Sequence, residues 1–461
     1  MFKKVKSLFV LLALGTFVNN SIAQTTENNN IITRELDSLS VKKFSDTENS
    51  IILTLDDALT VALSDNPQIK IADKEITKTN YAKKGTYASL FPLIEASGSY
   101  QRTVKKQTMY MDLGETTQAI EIGTNNTFTG GFGASMPLVS PTLWESLKIS
   151  GLDVELAIEQ ARSSKISMVE QVSKAYYSVL LAIDTYNVYV DTYNNSLENY
   201  LIVKQKYNVG STSEYEMIRA NVQAQNILPS LYSAQHSIAL TKWQLKALLG
   251  MDLETDIACS GSLLDYVSQM TTPKEDINLD NNSDLQQLEI QKQLLNSALR
   301  MSKAENYPSL ALSFDYNWIA MDDTYKFSSY KWNPYGIITL GLSVPIFNGG
   351  KRRHNIQQAR INIDQLELQK EDAVKNLEVA WLQYNNAMDI SMHQYDVAKS
   401  TVEQAKKGYE IATERYKVGK GTQLEVKDSQ LQLVEAELSK NSAIYDYLTA
   451  QISLQALSSD L

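Results

Sequence analysis

Hydrophobic and polar positions follow two rhythms along this chain, and the change-overs fall at prolines and glycines. From Leu55 to Leu63 the apolar spacing is helical, with Thr54 placed as N-cap and Asp56 and Asp57 in the first turn. Pro67 opens a second helix, at the position where a missing N–H costs little, that runs to about Leu90. Period two then takes over: Ile94, Ala96, Gly98 and Tyr100 alternate with Glu95, Ser97, Ser99 and Gln101. Phe128, Phe132, Ala134 and Met136 repeat the pattern against Thr129, Gly131, Gly133 and Ser135. These runs predict strands at about 93–103 and 127–137, with Gln107–Asn126 as a loop and Pro137 and Pro141 ending the pair. No Gly or Pro occurs from Leu152 to Val209, so a helix from Pro141 to Tyr207 would be roughly 100 Å long at about 1.5 Å per residue. A shorter helix follows Gly210, from Ser213 to Leu249, which Pro229 is expected to kink.

The plan then repeats. After an irregular connector at 251–282, a helix from Ser283 to Asn306 leads into strands at about 309–319 and 336–346. Leu310, Leu312, Phe314, Tyr316 and Trp318 share one face of the third strand, and Ile338, Leu340, Leu342 and Val344 one face of the fourth. From Lys351 to Lys407 there is again no Gly or Pro, and Leu424, Leu431, Leu438, Tyr445 and Ile452 recur every seven residues. The turn Tyr416-Lys-Val-Gly419 repeats Tyr207-Asn-Val-Gly210 at an offset of 209 residues, which also aligns Glu216 with Glu425. The chain is thus one duplicated unit, with repeats at 51–250 and 283–457, and each half supplies a continuous rod and a broken one of equal reach.

Export changes the picture. Lys3, Lys4 and Lys6, an apolar run from Leu8 to Phe17, and Ser21-Ile22-Ala23 read as a signal peptide over 1–23. Residues 24–50 are polar and read as a mobile leader. No later stretch has the ~18 apolar residues of a membrane-spanning helix. The strands, however, have the length and alternation of membrane β-strands, apolar outward and Ser/Thr/Gly inward. Four such strands cannot close a barrel, and lipid does not tolerate an open edge, so several copies must share the task. Three copies would give twelve strands, enough for a water-filled lumen. Phe91, Trp144, Tyr307 and Phe347 mark the strand–helix junctions as an interfacial girdle. Lys351-Arg352-Arg353 reads as a solvated run, with contact to lipid phosphates as the alternative.

At this level the chain resembles the TolC family of outer-membrane efflux proteins. The resemblance rests on Leu53-Thr54-Leu55-Asp56-Asp57-Ala58-Leu59 with Asn66-Pro67, the paired Tyr-x-Val-Gly tips, Val344-Pro345-Ile346-Phe347-Asn348-Gly349-Gly350, and Ala443-Ile444-Tyr445-Asp446-Tyr447. It implies a homotrimer, mainly α, with a twelve-stranded β-barrel in the outer membrane continuous with a periplasmic α-helical barrel. It also implies a passive exit duct docked by a periplasmic membrane-fusion adaptor and an inner-membrane RND pump or ABC transporter.

Carried over by position, Glu216, Tyr416, Glu425 and Asp428 become gate residues. Val209, Gly210, Ser211, Val418, Gly419 and Lys420 become adaptor-contact tips. Glu425 and Asp428 are three apart, hence on one helix face, and under threefold symmetry each would contribute three carboxylates to a cation-favouring mouth. The same acids also suit the first turn of any solvated helix. The family's latch arginine is replaced here by Gly421, and Arg219 is expected to pair with Glu425 or Asp428 instead.

Enzymatic chemistry finds no support. His236, His354 and His393 are scattered, Gly349-Gly350-Lys351 lacks the rest of a phosphate loop, and Cys259 is the single cysteine. The reading is no catalytic site, no metal and no cofactor. A net charge of −10 argues against nucleic acid. The alternative function is a surface-anchored structural or adhesive coiled-coil protein without a channel.

Overall fold

The computed structural model describes residues 36–46, 50–112, 117–271 and 278–459; the expected signal peptide lies outside them. In chain order the first half forms β1 (Ile51–Leu53), α1 (Leu55–Asp65), α2 (Pro67–Ala88), β2 (Leu93–Arg102), β3 (Gln107–Asp112), β4 (Thr117–Ile122), β5 (Asn126–Val139), α3 (Pro141–Asn208), α4 (Glu214–Gln225) and α5 (Leu228–Leu249). The second half forms β6 (Ile257–Cys259), a 3₁₀ turn (Leu263–Gln269), α6 (Ser283–Ala304), β7 (Ser309–Asp322), β8 (Trp332–Ser343), α7 (Lys351–Lys417) and α8 (Gln423–Ser458). The chain divides into two compact units, Ile71–Ser163 with Asn282–Lys375, and Met1–Lys70 with Ser164–Asn281 and Asn376–Leu461. Among the described residues no helix is long and apolar enough to cross a membrane.

The first of these units carries an antiparallel sheet in the order β2-β5-β7-β8. Its register keeps the apolar positions together: Ala96 faces Phe132, which faces Tyr316, and Ala134 faces Phe314, which faces Ile338. The other face aligns Ser97 with Gly131 and Asn317, and Glu95 with Gly133 and Asp315. One face of the sheet therefore suits hydrocarbon and the other suits water, because the side-chain period of a strand is two. Gly131 is demanded by the pairing, since a Cβ there would lie 2.6 Å from the Tyr316 carbonyl oxygen and 2.1 Å from Asn317 Oδ1. Among the described residues, both outer strands, β2 and β8, have one edge without a partner.

Several expectations are corrected in this unit. The loop expected at Gln107–Asn126 holds the β3–β4 hairpin, whose six-residue strands are too short to stand out as a periodic run. Pro137 lies inside β5 rather than ending it: the strand absorbs it at a register irregularity and runs on to Val139. β7 extends to Asp322, and β8 is shifted to start at Trp332 and stop at Ser343. Pro334 falls at the third residue of β8, close to the start of the strand, where a missing N–H is best tolerated.

The second unit is a helical core. Leu53, Ala58, Ala62, Ile69, Val172, Tyr176, Leu245, Leu249, Ile444 and Tyr447 are buried in one cluster. Thr54 caps α1 reciprocally with Asp57: the Asp57 amide donates to the Thr54 hydroxyl at 3.2 Å, and the Thr54 amide donates to the Asp57 carboxylate at 3.1 Å. The connector is more ordered than its composition suggests. Its β6 pairs in parallel with β1, Ile51 opposite Ile257 and Leu53 opposite Cys259, and the Tyr176 hydroxyl donates to the carbonyl of Ser260 at 2.8 Å. Burial pushes the Cys259 thiol up to about 12, so it is an inert core residue. The leader also differs from the expectation in its described part. Val41 exchanges backbone hydrogen bonds with the Asn194 side-chain amide at 3.0 and 2.9 Å, Lys43 pairs with Asp191 at 2.8 Å, and Phe44 packs edge-on against Tyr186.

Pro229 does not kink one helix but separates two. It falls in the first turn of α5, after Asn226 and Ile227 have closed α4. The second half has no counterpart, and α8 runs unbroken for 36 residues. Gly408 likewise leaves the 67-residue α7 continuous.

Candidate functional site at the helix tips

Both long helices end in the same way because their sequences do. At the first tip the Ser211 amide donates to the Lys206 carbonyl at 2.8 Å and the Gly210 amide to that of Tyr207 at 2.8 Å. At the second tip Lys420 bonds Arg415 at 2.8 Å and Gly419 bonds Tyr416 at 3.1 Å. This Schellman pairing needs a left-handed residue, and Gly210 and Gly419 supply it with φ of 72° and 74°. Ser213 and Thr422 then cap the return helices, each hydroxyl accepting the amide of the acid three residues on, Glu216 or Glu425, at 3.3 Å. The turns present Val209 and Val418, 73% and 66% exposed, at the extreme of each hairpin.

The structure brings two of the four candidate gate residues, Glu216 and Tyr416, into one cluster with side chains that spacing did not single out. Lys206 reaches across from the first tip, its ammonium 3.2 Å from the Lys417 carbonyl and 5.0 Å from the centre of the Tyr416 ring. It thereby satisfies the carbonyl end of α7 and lies on the electron-rich face of Tyr416. Burial raises the Tyr416 hydroxyl above its ordinary pKa, the nearby Glu216 carboxylate adds to this, and Arg219 opposes it. Gln423, buried at the start of α8, has its amide nitrogen 2.6 Å from Glu216 Oε2 when turned to satisfy both its atoms. Glu216 and Tyr416 are thus held in one chain by partners from opposite tips.

Glu425 has a different neighbour from the one expected. Its carboxylate is 3.8 Å from the Arg415 guanidinium, not paired with Arg219, and Arg415 also donates to the Lys420 carbonyl at 3.2 Å. The same geometry accounts for Gly421. A Cβ at that position would sit 3.1 Å from Arg415 Cβ and 3.2 Å from Glu425 Oε2, so the space is already filled. Asp428, one turn further along α8, is exposed.

Above the tips, Gln430 ties three helices together. Its amide oxygen accepts from Ser196 and Gln223, both at 3.0 Å, and its nitrogen donates to the Thr192 carbonyl at 2.9 Å. A cavity of about 500 Å³ opens beside it, lined among others by Tyr189, Arg219, Val222, Leu431 and Leu438. Lys206 had one legible signal: it occupies the repeat position of Arg415, so both long helices end in a cation. Gln423 and Gln430 had none, because a buried glutamine on a solvated-looking helix carries no periodic mark.

Two stretches of the chain, residues 58–251 and 276–459, match the family model described as Outer membrane efflux protein. The chain belongs to the outer membrane efflux protein family. Outer membrane protein TolC of Vibrio cholerae is 22% identical over 337 residues, covering 71% of this chain and 75% of that protein. The probable efflux pump outer membrane protein TtgC of Pseudomonas putida is 22% identical over 410 residues, 87% of this chain and 81% of TtgC. Among solved structures, the Campylobacter jejuni CmeC outer membrane channel superposes with a TM-score of 0.70 at 20% identity, covering 91% of this chain and 90% of CmeC. The Neisseria gonorrhoeae MtrE outer membrane channel does so with a TM-score of 0.70 at 16% identity, covering 91% and 97%. As an outer membrane efflux protein the chain is a transport channel and not an enzyme. It is an outer-membrane channel with a periplasmic helical extension. Among the described residues no group of His, Cys, Asp and Glu side chains could hold a metal ion.

Proposed function

We propose that three copies of this chain form a passive exit duct, in which the two repeats, 51–250 and 283–457, each contribute two strands and two rods. The observation that carries this is the sheet β2-β5-β7-β8 with its two unpaired edges and one apolar face. An edge in lipid leaves backbone groups without partners, so β2 of one copy must pair with β8 of the next. The leucine stripe supports the same reading: Leu424 and Leu431 are 47% and 54% exposed in a single chain, while Val426, Gln430 and Ala436 are buried beside them. Such a stripe suits packing against another copy.

The tips are the gate and the docking end. Glu425 and Asp428 project exposed carboxylates from one face of α8, and three copies would ring the mouth with six. Tyr416 and Glu216 form the constriction behind it. Val209, Gly210, Ser211, Val418, Gly419 and Lys420 are exposed and form the surface for a periplasmic membrane-fusion adaptor. The relatives named as efflux pump outer membrane proteins support an efflux pump as the partner; we take that partner as an inner-membrane RND pump, with an ABC transporter as the alternative.

Bilayer recording tests this reading. The purified protein should conduct ions with a preference for cations, and Glu425→Gln/Asp428→Asn should lose most of that preference while still conducting. Absence of conductance would overturn the duct, and unchanged selectivity would overturn the carboxylate ring.

A further inference from the structure

The chain is acidic overall, yet its helix ends nearest the membrane are not. The sheet register puts the starts of β2 and β7 and the ends of β5 and β8 along one edge, with Leu310 opposite both Val139 and Leu342 and Leu93 opposite Ser135. Short connectors join this edge to α2, α3, α6 and α7, so four helix ends meet there. Arg352 ties them further, donating to the carbonyls of Glu305 and Pro345 at 3.2 Å each, and Arg300 bonds Glu145 at 3.0 Å.

Five cations stand on these ends: Lys83, Lys84, Lys303, Lys351 and Arg353. None forms an ion pair with a carboxylate among the described residues; Lys84 instead lies over the Tyr81 ring. Three consecutive basic residues open α7, and its first turn holds no acid, the opposite of what the helix dipole favours. Local folding energy does not account for that arrangement. In the connectors between these helix ends and the strands, Ile346, Phe347, Phe91 and Tyr307 are 91%, 85%, 69% and 63% exposed. Apolar side chains next to unpaired cations, at the end of membrane strands, match the junction of acyl chains and headgroups.

We propose that this belt is a binding site for the headgroup phosphate of anionic phospholipid in the periplasmic leaflet. Ile346, Phe347, Phe91 and Tyr307 reach toward the acyl chains; because β8 of one copy adjoins β2 of the next in the proposed ring, Lys351 and Arg353 of one copy and Lys84 of the next hold the phosphate between them. The site rests on the outer-membrane reading of the sheet and adds to it a specific lipid class and a fixed depth of insertion.

The test uses the full-length protein in mild detergent, titrated with short-chain phosphatidylglycerol or phosphatidylcholine and followed by native mass spectrometry. Phosphatidylglycerol should bind at least about tenfold more tightly, since each cation near an anionic surface contributes appreciably. That preference should shrink as salt is raised from about 0.05 to about 0.5 M. Lys84→Gln/Lys351→Gln/Arg353→Gln should bring the two lipids within about twofold of each other, as expected once the charge term is removed. Equal binding of both lipids by the unaltered protein, or a preference indifferent to salt, would overturn the site, and neither measurement depends on the variant folding. Full displacement by inorganic phosphate would overturn the lipid as ligand. Conductance of the same preparation reports separately on the channel: channels without lipid preference sink the headgroup site alone.

Discussion

Gln430 occupies a place where an apolar residue would have packed with less demand on geometry. It is 5% exposed and makes all its hydrogen bonds to α3 and α4. Leucine in its place would leave the Ser196 hydroxyl and the Gln223 amide without this acceptor, a loss of roughly 1–3 kcal/mol for each group that stays buried. Gln430→Leu should therefore lower the thermal midpoint by several degrees although it makes the core more apolar; an unchanged or raised midpoint would refute the staple. Asp184 shows the opposite economy. Burial raises its carboxyl above the ordinary aspartate range, against the Leu263 amide that donates to it at 3.2 Å. A carboxyl with a raised folded pKa holds its proton better folded than unfolded. Its contribution is therefore present at low pH and lost as pH rises through the raised value. Burial shifts Glu437 and Asp446 in the same direction. Asp184→Asn keeps an acceptor for Leu263, so it should flatten part of the decline in melting temperature above the ordinary aspartate pKa. A decline as steep as in the unaltered protein would show that Asp184 does not carry it.

At the level of elements, the sheet depends on close approach more than on side-chain bulk. Gly131 is the tightest point, and Gly131→Val should prevent β5 from pairing with β7, leaving protein that reaches the outer membrane poorly; normal levels there would mean the strands can part without harm. The long rods, the tips and the four membrane strands could be read in advance, because each is a long run with one period, bounded by Gly210, Gly419, Pro92 or Pro308. The β3–β4 hairpin and the β1–β6 pair could not. Their strands are six and three residues long, and the β1–β6 pair is fixed by contacts distant in sequence. Residues 36–46 are illegible for the same reason: Asn187, Asp191 and Asn194 on α3 hold them, and their own polar composition carries no sign of it. At the candidate site the acids and tyrosine stood out through the repeat, whereas Lys206 and Gln423 gain meaning only when the two tips are side by side.

For the molecule as a whole, closure of the proposed barrel is a property of the assembly and not of one chain. The protein extracted in mild detergent should have the mass of three chains plus bound detergent and show both helical and strand signals in circular dichroism. A stable single-chain species with an intact sheet would leave the outer edges of β2 and β8 exposed and contradict the argument.

Inside the chain, β5 of the first repeat lies against β7 of the second; around the proposed ring, β8 of the second lies against β2 of the first. The two seams join the same kinds of partner, one by covalent linkage and one by association. A gene half this long would encode a piece with equivalent borders, and six such pieces would complete the circle that three full chains complete, so the wall had no need of duplication to exist. What the duplicated chain permits is divergence between its halves, with Lys206 on one hairpin and Arg415 on the other.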